Sequence, residues 1–257
     1  MRTVAEKKPA EEFVFNGGWL KNEDKIKPKK SIVICGITRG GTSFAASVFG
    51  RLGVPFSRRG ERNIGARYEH RELRTAFVGK DGEAIREIST AFSNEYPVWA
   101  WKLPAIQREF EFVAELVPNP HFVIIFKEPL SVAARKTDLK GKDTLQALEQ
   151  VLTVYRHMAS IAHKTEHPLL LVSYDRAMAN LEPFLADAAR FAGVDKYDAH
   201  TVASGIREDG KRYFRPGAEA KAKAPSAAPP ASKAPPASKT LKTGPAVALR
   251  KTAFSHL

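Results

Sequence analysis

Along this chain the apolar residues fall into two patterns: short unbroken runs, and longer stretches in which they recur every three or four positions. "SIVICG" (31–36), "HFVIIF" (121–126) and "PLLLVSY" (168–174) are of the first kind, and "VWAW" (98–101) is a shorter candidate. Their interiors do not alternate with polar residues, so each reads as a strand covered on both faces. The second pattern gives helices over "TSFAASVFGRLGV" (42–54), "YEHRELRTAFVG" (68–79), "GEAIREISTAF" (82–92) and "AIQREFEFVAELV" (105–117), the last entered through Pro104. Further helices are predicted from Pro129 to about Lys136, over "TLQALEQVLTVYRHMASIAHK" (144–164), and over "LEPFLADAARFAGV" (181–194), closed by Gly193. Strands alternating with helices imply parallel βαβ units. The pattern therefore predicts a three-layer α/β/α domain with a central parallel sheet of four or five strands. In such sheets ligands bind at the carboxyl ends of the strands. The loops after Cys35, Trp101, Phe126 and Val172 then share one rim and bring Arg39, Lys102, Lys127 and Tyr174 to it.

Composition sets the limits of this domain. The 257 residues suit one sizeable domain with tails, here divided into a charged N-terminal extension (1–30), the α/β domain (31–216) and a C-terminal tail (217–257). The formal charge of +13 suggests a polyanion partner until its distribution is examined. The two tails carry +3 and +6, leaving +4 for residues 31–216, so a general nucleic-acid role is not indicated. The tail, Ala/Pro/Lys/Ser-rich with "APPASK" in tandem over 228–239, has too few large apolar residues to order itself and is expected to be disordered. Its charge also suits a contact arm for an acidic partner. No apolar run reaches the roughly 20 residues of a membrane span, and the N-terminus has no signal-peptide pattern, so a cytoplasmic protein is expected. The single cysteine, Cys35, lies within an apolar run and reads as a buried strand residue.

The loop "GITRGGTS" (36–43) joins the first clear strand to a helix, the wiring of a phosphate cradle. Its glycines let backbone amides approach an anion, the helix N-terminus adds partial positive charge, and Thr42 and Ser43 supply hydroxyls. Read as the P-loop of an NTPase, Gly36-x4-Gly41, it has Thr42 where a lysine would stand, while Arg39 contributes a fixed charge and a bidentate fork from inside the turn. Phosphoryl transfer from ATP or GTP also needs an acid for Mg²⁺ near a strand end, for which Glu128 is the candidate.

"GITRGGTSFAASVFGRLGV" resembles the 5′-phosphosulfate loop of the sulfotransferases, which use the donor PAPS (3′-phosphoadenylyl sulfate). The match is Arg39-Gly40-Gly41-Thr42-Ser43. "FVIIFKEPLSVAARK" is similar to that family's second signature, with Lys127 in an arginine's place and Arg135 where a serine would fall. "LLLVSYDRAMANLEPFLADAARFAGV" looks like its third conserved block, and the three together span residues 31 to about 194. The resemblance implies that residues 39–43 hold the 5′-phosphosulfate. It also implies that Lys127 and Arg135, with Ser131 as a hydroxyl donor, meet the 3′-phosphate, and that PAP is the product. In "ARYEHRELR" it points to Glu69 as the base, with His70 as second choice, and it implies that Lys102 in "WAWKLP" steadies the transferring group. Glu69 is equally a candidate surface partner of Arg74, and Lys102 a candidate for solvent. No metal is implied, and the acceptor, whether small molecule, lipid or glycan, is not identified. The competing readings are a P-loop phosphotransferase and a non-catalytic nucleotide-binding member of the fold.

Overall fold

A computed structural model describes residues 15–59, 68–140 and 143–213. The expected disordered tail, 217–257, lies outside the described residues. The elements run β1 (Gly18–Lys21), β2 (Lys30–Gly36), α1 (Thr42–Arg51), α2 (Arg71–Gly79), α3 (Gly82–Glu95), β3 (Val98–Lys102), α4 (Phe110–Leu116), β4 (Pro120–Phe126), α5 (Pro129–Lys140), α6 (Thr144–Lys164), β5 (Leu169–Ser173), α7 (Tyr174–Ala179), α8 (Leu181–Ala192) and α9 (Ala199–Tyr213). The five strands form one sheet in the order β1-β5-β4-β2-β3.

Every residue of β2 is buried, as a strand covered on both faces requires. Its side chains divide by alternation. Ile32 and Ile34 face a core with Val123, Ile125, Leu170 and Val172, packed against α1, α8 and α9. Val33 and Cys35 face the opposite core with Trp99, Trp101, Phe122 and Ile124, closed by α2, α3, α4 and α6. This is the expected three-layer α/β/α arrangement.

The sheet departs from expectation at one edge. β2, β3, β4 and β5 are parallel, but β1 pairs antiparallel with β5, Gly18 opposite Val172 and Lys21 opposite Leu169. The sheet is therefore mixed, and part of the presumed N-terminal extension belongs to it. Four residues in a charged segment carry little strand signal of their own. They are held by distant partners: the Lys21 ammonium donates to the carbonyl oxygens of Ala162, His163 and Thr165 at 2.7–2.9 Å, where α6 ends. Asn22 adds bonds to the carbonyls of Thr165 and His167.

Two other elements differ in detail. The helix predicted from Pro104 is a 3₁₀ helix over Pro104–Glu109 followed by α4. Residues 199–213, for which the sequence pattern predicts no element, form α9. α9 is fixed to α1 by Asp209, whose carboxylate accepts from Arg51 Nε and Nη2 at 2.9 and 3.0 Å and from Ser47 Oγ at 2.7 Å.

At the amino ends of the parallel strands two basic groups are buried. Lys30 Nζ donates to the Phe191 carbonyl at 3.0 Å, and burial lowers its pKa. His121 bridges the Asn119 carbonyl (through Nδ1, 3.0 Å) and the Lys27 amide, which donates to Nε2 at 3.0 Å. This pairing fixes the neutral ring with the proton on Nδ1, and burial pulls its pKa down to about 4.

Candidate anion-binding active site

At the opposite, carboxyl end of the sheet lies a cavity of about 220 Å³. Its wall begins with the loop after β2. The Gly40 amide donates to the Ile37 carbonyl at 2.8 Å, closing a turn whose third residue, Arg39, is left-handed with φ of 69°. That conformation costs a non-glycine residue roughly 1–2 kcal/mol. Gly41 follows at φ 98°, and a Cβ there would lie 2.7 Å from the Tyr174 ring, so only glycine fits.

Gly41 is the N-cap of α1 and offers no side-chain cap, and the first turn carries no acid. The helices α2, α3 and α6 are different: His70, Asp81 and Asp143 each accept from a first-turn amide. The leading amides of α1 and the helix dipole are thus left for whatever enters the cavity. Thr42 and Ser43 line it beside them.

Lys127 and Arg135 approach from β4 and α5. The Lys127 peptide is gripped on both sides by Tyr155: the Lys127 amide donates to the phenol oxygen at 3.0 Å, and the phenol donates to the Lys127 carbonyl at 2.6 Å. Its ammonium lies 4.3 Å from the centroid of the Tyr174 ring. Burial, and secondarily the charge of Arg135, lowers the Lys127 pKa. The two cations raise each other's electrostatic cost and would be relieved by an anion. The Tyr174 phenol is itself pushed up to about 12 by burial and by Asp175.

The third cationic contribution is Lys102, at the end of β3. Its side chain is 1% exposed, and its ammonium donates to Glu69 Oε1 at 2.8 Å; Glu69 is 26% exposed, with Arg74 a further 3.9 Å away. Lys102 therefore does not point to solvent. Among the described residues, four cations (Arg39, Lys102, Lys127, Arg135) and two carboxylates line the cavity, and one of the carboxylates, Asp209, is engaged by Arg51. Phe44, Pro104, Met178 and Ile206 make its apolar wall.

The structure thus brings Arg39, Gly41, Thr42, Ser43, Glu69, Lys102, Lys127 and Arg135 to one cavity. Gly40 stands in the same turn, behind the lining. Two candidates lie elsewhere. His70 is 2% exposed, accepts the Leu73 amide at Nδ1 and packs edge-on to Phe92, so it caps α2 and does not face the cavity. Ser131 is exposed outside the lining, its amide donating to Glu128 at 2.6 Å. Glu128 also accepts from the Leu130 amide at 2.7 Å, capping α5; a hydrogen bond from the Ser131 side chain, and then these two amides, hold its pKa below the usual carboxylate range. The lining residues not foreseen as site residues include Phe44, Ser47, Pro104, Met178, Ile206 and Asp209, and the apolar ones carry no signal distinct from ordinary core positions.

Solved structures with a similar fold include sulfotransferases. The sulfotransferase domain from the curacin biosynthetic pathway is 13% identical at a TM-score of 0.47, over 67% of this chain and 76% of that one. Sulfotransferase STF1 from Mycobacterium tuberculosis H37Rv is 14% identical at 0.47, over 75% and 78%. Retinol dehydratase, in a complex with retinol and PAP, is 14% identical at 0.39, over 73% and 66%. No protein-family model and no curated protein matches the chain.

Proposed function

We propose that this protein transfers a sulfuryl group from PAPS to a hydroxyl or amine of an acceptor. The observation that carries the reading is the cavity itself: an uncapped helix N-terminus and the cations Arg39, Lys127 and Arg135 surround a space in which a carboxylate, Glu69, rests on a buried lysine, Lys102.

The lining suits a ligand with several anionic groups. Arg39 and the amides and hydroxyls of residues 40–43 would bind the 5′-phosphosulfate, and Lys127 and Arg135 the 3′-phosphate. Ser131 is not retained in this set, because it lies outside the cavity. When bound, PAPS supplies an activated sulfuryl group and leaves as PAP. Arg39 and the α1 amides hold charge that is in place before reaction, the arrangement that favours a departing phosphate. Glu69 takes the acceptor's proton, and Lys102 fixes the orientation of that carboxylate. The phosphotransferase reading is disfavoured at Glu128, whose two oxygens are engaged in capping α5.

Thermal unfolding with PAP, with ATP and Mg²⁺, and with no addition tests the donor. PAP should raise the midpoint, and Arg39→Ala should remove that rise; a response confined to ATP with Mg²⁺ would refute the reading. Glu69→Gln should leave PAP binding intact and slow transfer by about 100-fold or more.

A further inference from the structure

We infer that Tyr68 is a positioning residue for Glu69. Its ring, seated on Gly50 of α1 beside Phe56, holds the left-handed turn that delivers the Glu69 carboxylate to Lys102. The inference rests on the reading of Glu69 as proton acceptor.

Three consecutive residues, Tyr68-Glu69-His70, have three different fates. Tyr68 is left-handed, at φ 63°, an uncommon conformation for a bulky aromatic residue. Its ring centroid lies 5.1 Å from that of Phe56, and the ring packs on the core beside α1, α8 and α9. His70, two positions later, is buried on the other core, capping α2 and packed on Phe92. Each neighbour of Glu69 is thus anchored, and the residue between them projects to neither core but to Lys102. A strained backbone persists where surrounding contacts over-determine it, and here those contacts are the Tyr68 ring and the His70 cap.

The seat of the ring is specific. A Cβ at Gly50 would lie 3.1 Å from Tyr68 Cε1, closer than a ring tolerates without shifting. Gly50 is eight positions beyond Thr42, about two turns along the same helix whose first turn faces the cavity. The proton acceptor and the anion-binding loop are therefore referenced to one rigid body, α1. A change at Tyr68 or Gly50 should displace Glu69 from Lys102 while leaving the anion loop in place.

The test follows the Lys102 ammonium by NMR in ¹⁵N-lysine-labelled full-length protein, with Glu69→Gln marking the signal that belongs to the pair. Tyr68→Ala and Gly50→Ala should each shift that signal as Glu69→Gln does, and Tyr68→Phe, which keeps the ring, should restore the wild-type position. PAP-induced stabilisation should persist in all three, while turnover falls about tenfold to a hundredfold in the first two, without a matching loss of donor affinity. A wild-type Lys102 signal in Tyr68→Ala or in Gly50→Ala overturns the inference, as does a Tyr68→Phe variant that behaves like Tyr68→Ala. Should Tyr68→Ala fail to fold, Gly50→Ala and Tyr68→Phe still decide it. If PAP does not stabilise the wild type, the donor assignment fails, and the Lys102 signal still reports on Tyr68 alone.

Discussion

Arg39 occupies a backbone position that glycine would occupy more comfortably. Arg39→Gly removes the strain of φ 69° along with the guanidinium. It is expected to leave the protein as stable or more stable, by about 1 kcal/mol in urea unfolding, while abolishing stabilisation by PAP. A loss of stability in this variant would show that Arg39 is held there for structure rather than for a ligand. Lys127 gives a second test. Its lowered pKa is the result of burial and Arg135, and a bound anion would raise it again. Binding then takes up a proton wherever free Lys127 is partly deprotonated, so PAP affinity should fall as pH rises through the lysine's lowered pKa. Lys127→Arg, which stays charged, should flatten that dependence; an unchanged profile would place Lys127 away from the anion.

At the scale of elements, the contrast is between segments that specify themselves and segments held by others. β2 and α1 were legible because their signals are local: an unbroken apolar run, a glycine turn, then helical periodicity. The four rim positions followed from parallel topology alone, and the cavity lies where the strand ends converge. β1 was not legible, because its pairing depends on Lys21 reaching the end of α6, some 140 positions away in the chain. Nor was α9, whose placement rests on Asp209 meeting Arg51 and Ser47. His70 shows the same limit at the site: its residue type suggested chemistry, but its role as the cap of α2 depends on Phe92 behind it. Lys21→Met tests the first of these dependencies. Three bonds from an ammonium to helix-terminal carbonyls predict a loss of about 2 kcal/mol, and fast amide exchange in β1 with slow exchange retained in β2.

For the molecule as a whole, acid should act from the end of the sheet remote from the cavity. His121 has a folded-state pKa near 4 against an ordinary value of 6.5. Between those values the unfolded chain binds the proton and the folded chain does not. Stability is therefore fully present above about pH 6.5 and declines as pH falls toward 4, by up to roughly 3 kcal/mol. His121→Gln should flatten this part of the stability-pH curve, and an equally steep curve in the variant would assign the acid sensitivity elsewhere.

The only thiol in the chain sits at the centre of the sheet. Cys35 is fully buried on β2, flanked by β3 and β4, and burial pushes its pKa up to about 12. A disulfide reagent reaches that sulfur only when the helices over that face, or the sheet itself, open. Native protein is consequently its own clock: the rate at which one equivalent of label is consumed counts such openings. Any ligand selective for the closed form should slow that clock by the factor 1 + [L]/Kd, so the same chain that resists the reagent can report, without a substrate, what its rim binds.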